Sequence, residues 1–206
     1  MEFDYAHQQS WPQVVGQHQS PINIVMADAQ PERWTGLHSA LRGDAVHATA
    51  HNLQVTGGGL TEIGGRTAIF NHLHFHCAGE HTRDGKRGVM EAHFVHEFSD
   101  GQPVVVAVPL ILGATNPVLA AIMVMPEEPI DTPISLNGLI PTNGNWYHYL
   151  GSLTTPPVVE GIAWYVAARP ETISADQLAA YQARFPEDNH REIQPLNDRK
   201  LLLLHQ

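Results

Sequence analysis

Several histidines of this chain are spaced so that they could hold a metal ion. His72, His74 and His76 alternate along one predicted strand, so their side chains project from the same face of it. A second predicted strand carries Glu91 and His93, which also share a face. If the two strands are antiparallel neighbours, His74, His76 and His93 converge. Three imidazoles without a fourth protein ligand are typical of a catalytic zinc site.

Glu91 favours this interpretation. A histidine that binds a metal usually donates its second ring N–H to an acceptor, which fixes the orientation of the ring. Glu91 stands two residues before His93 on the same strand face, where its carboxylate can accept that bond. Without a metal, the same residues would be solvated or packed histidines and an ordinary glutamate at a sheet edge.

Most segments around these residues predict β-strands. They are rich in β-branched and aromatic side chains and cover residues 45–56, 66–77, 88–98, 103–112 and 158–168. One helix is expected to begin at the Asn116-Pro117 pair, and another after Ser174, which forms a capping-box pattern with Gln177. The sequence therefore predicts one β-dominated α+β domain over residues 1–206, with a large sheet and a few short peripheral helices.

The composition argues against several classes of function. Acidic residues number 21 against 11 basic ones, which gives a formal charge of −10. A chain with this charge is not expected to bind nucleic-acid phosphates or an anionic membrane surface. Its apolar runs are too short for a transmembrane helix. The single cysteine, Cys77, rules out an internal disulfide and a multi-cysteine metal site.

One alternative uses the same histidines differently. His74, His76 and Glu80 also resemble the first metal-binding motif of the cupins, small β-barrel proteins in which the glutamate is a ligand. The glycines that frame the cupin motif are poorly placed in this chain, and a second cupin motif is not evident. The later segments of the sequence therefore disfavour a cupin-like metalloenzyme.

Five segments point to a different family. They lie at residues 19–24, 74–76, 80–82, 91–96 and 151–157, the last reading GSLTTPP. In this order they closely resemble the α-class carbonic anhydrases, and the resemblance covers nearly the whole chain. It implies a central twisted, mostly antiparallel sheet with a conical active-site cavity. It also implies reversible hydration of carbon dioxide to bicarbonate and a proton, and inhibition by sulfonamides.

The resemblance assigns a role to each residue of the catalytic centre. His74, His76 and His93 match the ligands of a Zn²⁺ ion whose bound hydroxide attacks carbon dioxide. Thr154 matches a threonine that accepts a hydrogen bond from that hydroxide. Glu80 matches the carboxylate that accepts the proton of the threonine. This arrangement orients the nucleophile.

Other residues match the surroundings of that centre. His51 matches the histidine that shuttles protons to solvent, and Tyr5 matches a tyrosine that helps to order the cavity water. Glu91 and Asn189 match residues that support the ligands, and His72 stands where the family commonly has a glutamine that supports the first zinc histidine. His81 and Tyr149 match a network around Glu91. The apolar wall for carbon dioxide matches Val95, Val105, Leu153, Ile162 and Trp164, with Thr155 near the bicarbonate.

Three expectations follow from the resemblance as a whole. A carbonic-anhydrase-like binding module without catalysis is the alternative, although such relatives typically lack zinc histidines that this chain retains. The family favours a periplasmic or secreted location, whereas the N-terminus carries no basic-then-apolar leader and leaves a cytoplasmic location open. A homodimer is compatible with the sequence.

Overall fold

Strands predominate in the computed structural model, which describes residues 3–11 and 16–205. Within these residues the strands are β1 (Asn23–Ile24), β2 (Gln30–Arg33), β3 (Leu37–Ala48), β4 (Leu53–Ile63), β5 (Arg66–His76), β6 (Thr82–Arg83), β7 (Lys86–Arg87), β8 (Met90–Phe98), β9 (Pro103–Leu112), β10 (Ile134–Ser135), β11 (Trp146–Ser152), β12 (Glu160–Ala167), β13 (Glu171–Ile173) and β14 (Leu202–His205). The α-helices are α1 (Pro117–Met123) and α2 (Ala175–Arg184), and 3₁₀ turns span Tyr5–Ser10, Met26–Asp28 and Asn137–Leu139.

One large mixed sheet organises these elements. Its strand order is β10-β3-β4-β5-β8-β9-β12-β11-β14-β2, with β13 beside β9. All neighbours from β10 to β9 are antiparallel, whereas β9 pairs with β12 and β14 pairs with β2 in parallel. A small separate sheet joins β1, β6 and β7. The prediction of a β-dominated fold with a mostly antiparallel sheet is confirmed.

The core lies on both faces of β9, at the centre of the sheet. Val104, Val106 and Val108 belong to one apolar cluster, which also contains buried residues of both α-helices. Val105 and Ala107, which alternate with them, belong to a second cluster. The nearly continuous apolar sequence of β9 is therefore explained by burial on both faces. The second cluster lies next to His93, one of the three histidines expected to bind a metal.

Both helices begin at the predicted caps. The Asn116 side chain accepts hydrogen bonds from the backbone N–H groups of Val118 and Leu119. Ser174 and Gln177 form the capping box, and Gln177 also exchanges two hydrogen bonds with the backbone of Asn116. The cap of α2 thus ties the two helix starts together. Among the described residues, neither helix is long and apolar enough to cross a bilayer.

The predicted strand at 45–56 is wrong as a single element. The chain reverses between β3 and β4, where the Thr49 N–H donates to the Asn52 carbonyl at 2.9 Å and the Thr49 hydroxyl accepts from the Asn52 N–H at 3.0 Å. Threonine and asparagine side chains can replace strand hydrogen bonds in this way. The strand expected at 158–168 begins only at Glu160, because Val158 has a φ of 51° and lies in a turn.

Candidate metal centre

The three histidines expected to bind a metal meet on one face of β5 and β8. The antiparallel register places His74 opposite His93 and His76 opposite Glu91. Ring centroids lie 5.0 Å apart for His74 and His76, 5.3 Å for His74 and His93, and 4.6 Å for His76 and His93. One ring nitrogen of each histidine lies within 4.8 Å of the others. A single ion can therefore be reached by all three rings.

Hydrogen bonds determine which ring nitrogens are available. Nδ1 of His76 donates to the backbone carbonyl of Asn189 at 2.7 Å, and Nε2 of His93 donates to Glu91 Oε1 at 2.8 Å. In neutral rings the lone pairs are then on Nε2 of His76 and Nδ1 of His93. Nε2 of His76 is buried and has no hydrogen-bond partner among the described residues. A buried lone pair without a donor fits a metal ligand.

Burial favours the neutral form of His74 and His76, which is the form of histidine that binds metals. Burial lowers the pKa of His74 well below its usual value, and the neighbouring histidines lower it further. Burial also lowers the pKa of His76, although the charge of Glu80 partly opposes this effect. Both rings are therefore harder to protonate than a solvated histidine.

Glu91 connects His93 to a buried hydrogen-bond network. Its Oε1 accepts from Nδ1 of His81 at 2.6 Å as well as from His93, and its Oε2 accepts from the His81 backbone N–H at 2.9 Å. The Tyr149 hydroxyl is hydrogen-bonded to Nε2 of His81 at 2.7 Å and to Ser20 Oγ at 2.8 Å. Burial alone raises the pKa of Glu91, but His81 and His93 outweigh burial and hold that pKa well below its usual range.

Comparisons with known proteins agree on the family. The family model described as eukaryotic-type carbonic anhydrase matches residues 5–109 and 115–204. A carbonic anhydrase of Pectobacterium carotovorum is 36% identical over 198 residues, covering 91% of this chain and 80% of that protein. This chain belongs to the α-carbonic anhydrase family. The cupin interpretation is therefore wrong, and the chain is a carbonic anhydrase whose substrate is a small molecule.

Solved carbonic anhydrases share the fold over nearly the whole chain. The α-carbonic anhydrase of Thermovibrio ammonificans, in complex with the inhibitor sulfanilamide, is 38% identical with a TM-score of 0.84, covering 91% of this chain and 88% of that one. A carbonic anhydrase of Chlamydomonas reinhardtii in complex with acetazolamide is 28% identical with a TM-score of 0.86, covering 98% and 99%. Members of this family are generally zinc-dependent.

Glu80 lies fully buried beside His76 and His93. Its Oε1 accepts from the Arg191 backbone N–H at 2.9 Å and lies 3.5 Å from Nδ1 of His76. Its Oε2 lies 3.9 Å from Nδ1 of His93 and has no hydrogen-bond partner among the described residues. Thr154 is 5% exposed, and the hydrogen bond to Glu80 that the resemblance implies is not formed between these two described side chains. Oε2 of Glu80 is thus an open acceptor inside the protein.

His51 lies in the turn between β3 and β4. Its half-buried ring lies 4.9 Å from the ring of Phe3 and 5.4 Å from that of Tyr5, measured between centroids. Nδ2 of Asn189 donates to the His51 carbonyl at 3.0 Å, while the Asn189 carbonyl accepts from His76. Asn189 therefore connects the His51 turn directly to His76.

The side chains expected to form the apolar wall lie together. They belong to the second apolar cluster, with Val105, Ile162 and Trp164 buried in it and Val95 and Leu153 packed against it. The Trp164 ring lies 5.0 Å from the His93 ring, and its Nε1 donates to the Ser152 carbonyl at 3.0 Å. The wall therefore reaches the metal centre through Trp164. Thr155 is half-buried next to Thr154.

His72 contacts His74 differently from its expected role. Its ring stacks on His74 with centroids 5.1 Å apart, and its Nδ1 pairs with the Asn71 side chain at 2.9 Å. Burial, together with the nearby His93, lowers the pKa of His72 to about 4. Nδ1 of His74 is buried without a hydrogen-bond partner among the described residues. His72 thus supports His74 through its ring face and not through a hydrogen bond.

Sequence reasoning assigned no role to Arg191 or Ser20. The Arg191 backbone holds Glu80, and its guanidinium donates to the Gln19 side chain and the Ser20 carbonyl, both at 2.8 Å. The Ser20 hydroxyl also accepts from the Ser152 N–H at 3.1 Å. Both residues lie in irregular segments without periodicity. Ser20 belongs to the family-like segment 19–24, which was the one available signal, and no such signal pointed to Arg191.

Proposed function

We propose that this chain hydrates carbon dioxide with a zinc ion bound by His74, His76 and His93. The observation that carries the proposal is the convergence of three imidazoles, of which His76 and His93 already donate their outer N–H groups. This donor set of three nitrogens fits zinc, and the orphaned Nε2 of His76 supports the fit. When bound, zinc lowers the pKa of water from about 16 to about 7 and supplies a hydroxide at neutral pH.

Thr154 orients the nucleophile in this proposal. Its hydroxyl donates to Oε2 of Glu80, the buried acceptor that has no other partner among the described residues. Only the lone pairs of the threonine oxygen then face the nucleophile, so Thr154 accepts a hydrogen bond from it. This arrangement aligns an oxygen lone pair with the substrate and rejects molecules without a proton to donate. Arg191 keeps Glu80 in place by its backbone N–H.

The apolar wall binds the substrate. Carbon dioxide is uncharged and apolar, so it gains more from contact with Val95, Leu153 and Trp164 than from a charged pocket. The product, bicarbonate, is charged and has no comparable affinity for such a surface. The wall therefore favours binding of the substrate and release of the product.

His51 carries the proton released by the reaction to solvent. Imidazoles exchange protons rapidly near neutral pH, and the half-buried ring in the turn is accessible from outside. Tyr5 lies beside it, and burial together with the charge of Glu80 raises the pKa of Tyr5. Its hydroxyl is therefore protonated and can order water between the site and His51.

Stopped-flow measurement of carbon dioxide hydration tests the proposal. The zinc-supplemented protein is expected to hydrate carbon dioxide, to lose the activity with a zinc chelator, and to regain it when zinc is returned. Acetazolamide should inhibit the same activity. Hydration that persists unchanged after complete removal of metal contradicts the proposal. A protein that binds zinc but does not hydrate carbon dioxide would be a binding module instead.

A further inference from the structure

A cavity of about 400 Å³ lies beside the loop that carries Glu80 and His81. We call it the β6–β7 cavity, because residues 82–84 and 86–88, in and next to these strands, line it. Its opposite side is formed by residues from β9, β11 and β12, including Pro109, Tyr147 and Val166. The three metal-binding histidines and Thr154 do not line it. Its volume is in the range of cavities that bind small molecules.

The charge of this cavity is opposite to that of the protein. Arg83, Lys86 and Arg87 line it, together with one acidic residue, Asp84. The whole chain has only 11 basic residues against 21 acidic ones. A cluster of three cations in such a chain creates a local positive potential that attracts anions.

The three cations have no carboxylate partner among the described residues. Within the described residues, the basic side chain that does pair with a carboxylate is that of Arg66, which contacts Asp100 on another part of the sheet. Arg83 donates to the carbonyl of Ala168, and Arg87 donates to the carbonyls of Gly79 and Glu80. Backbone carbonyls orient these guanidinium groups but do not neutralise them. One carboxylate oxygen of Asp84 accepts from the Met26 N–H at 3.0 Å.

The other surface of the cavity is apolar. Half-buried Pro109 and exposed Ile111 present hydrocarbon surface to the cavity, and the nearly fully buried Ile24 and Val166 also line it. The Tyr147 ring is 4% exposed, and burial raises the pKa of its hydroxyl, which stays protonated. A ligand in this cavity would therefore meet positive charge on one side and hydrocarbon on the other.

We propose that the β6–β7 cavity binds a small organic carboxylate. The carboxylate lies against Lys86 and the two arginines, and the apolar body of the ligand packs against Pro109 and Ile111. A ligand of this class matches both the charge and the apolar surface, whereas an inorganic anion would match only the charge. This inference does not depend on zinc or on the hydration reaction.

The cavity adjoins the supports of the metal centre. Arg87 holds the backbone of Gly79 and Glu80, and His81 lines the cavity while its Nδ1 donates to Glu91. A bound carboxylate therefore contacts the segment that positions Glu80. Because carboxylates also bind metals, a test must separate this cavity from the metal centre.

Titration of 4-fluorobenzoate, followed by ¹⁹F NMR, provides the test. The zinc-supplemented protein is first saturated with acetazolamide, which blocks binding at the metal centre. We expect saturable binding of 4-fluorobenzoate that Lys86→Gln weakens about fivefold and Lys86→Glu more strongly, as for a partly solvated charge pair. Acetate, which lacks the apolar body, is expected to bind about tenfold more weakly.

The other lysine of the chain, Lys200, offers a matched control. It is exposed and does not line the cavity, so Lys200→Gln and Lys200→Glu should leave binding unchanged. Lys86 is also exposed, and its variants should melt at the wild-type temperature. The proposal is wrong if 4-fluorobenzoate does not bind at millimolar concentration, or if the Lys86 and Lys200 variants behave alike. If the protein binds 4-fluorobenzoate as described but does not hydrate carbon dioxide, only the proposed catalytic function is contradicted.

Discussion

The charge of Glu91 should be needed for tight binding of zinc. Both of its carboxylate oxygens accept hydrogen bonds: Oε1 from His93 and His81, and Oε2 from the His81 backbone. The substitution Glu91→Gln keeps the shape of the side chain but leaves only one accepting oxygen. The amide NH₂ must then face one of these donors in a fully buried site. At least one of the three hydrogen bonds is lost, and the remaining ones lose their charge assistance.

The size of the effect follows from these contacts. A hydrogen bond to a charged group contributes about 1.5–3 kcal/mol. Part of this loss falls on His81 and lowers the stability of the metal-free protein as well. The loss of the hydrogen bond to His93 weakens zinc binding, because the orientation and basicity of Nδ1 depend on the bond at Nε2. We therefore expect the dissociation constant for zinc to rise about 10- to 100-fold.

Competition with a chromophoric chelator at pH 7.5 measures this dissociation constant directly. Glu97→Gln is the matched control, because Glu97 lies on the same face of β8 but is exposed. Its variant should bind zinc like the wild type. If Glu91→Gln binds zinc within twofold of the wild type, or if Glu97→Gln shows an equal loss, Glu91 does not act through His93 and the reasoning is refuted.

Three further predictions concern turnover, proton transfer and stability. Thr154→Val should lower kcat/KM for hydration about 100-fold, because it removes one hydrogen bond to a charged group, and should leave the zinc content unchanged. Thr154→Ser should keep most of the activity. Loss of zinc from the valine variant would contradict this role. His51→Ala should lower turnover in weak buffer, with partial rescue by added imidazole, and an undiminished rate would mean that protons leave by another route. His96 is buried with a hydrogen bond to Thr61, and burial lowers its pKa from 6.5 to about 4. As the pH falls, His96 is therefore protonated in the unfolded chain before it is protonated in the folded protein. The free energy of unfolding should fall by about 2 kcal/mol between neutral pH and pH 5 for this reason. Urea unfolding should show a smaller loss of stability between these pH values for His96→Gln than for the wild type. An equal loss in both proteins would contradict this role of His96.

Local signals in the sequence predicted the parts of the fold that depend on local physics. β9 begins and ends at the predicted residues because a long apolar run can lie only in a strand covered on both faces. The caps at Asn116 and Ser174 are likewise local hydrogen-bond patterns. β11 and β14 were not predicted, because their pairing joins segments far apart in the sequence. The hairpin turn at 49–52 was missed because its stop signal is a pair of side-chain hydrogen bonds and contains no glycine or proline.

The candidate site also has a part that local sequence patterns predict and a part that they do not. Strand alternation, together with the antiparallel pairing of β5 and β8, brings His74, His76 and His93 together, and alternation places Glu91 on the same face as His93. The support of His76 by the Asn189 carbonyl and of Glu80 by the Arg191 N–H depends on how irregular segments cross the sheet. No periodic pattern encodes such contacts. The stacking of His72 on His74 likewise follows from rotamers that the sequence does not specify.

Anomalous diffraction at the zinc edge, from crystals of the zinc-supplemented protein, tests the central claim most directly. We predict one zinc ion per chain, in contact with Nε2 of His76, Nδ1 of His93 and one ring nitrogen of His74, each at about 2.0–2.1 Å. Glu80 and His72 should lie outside the coordination sphere. An ion held by Glu80 or His72, or no ion between the three histidine rings, would contradict the account.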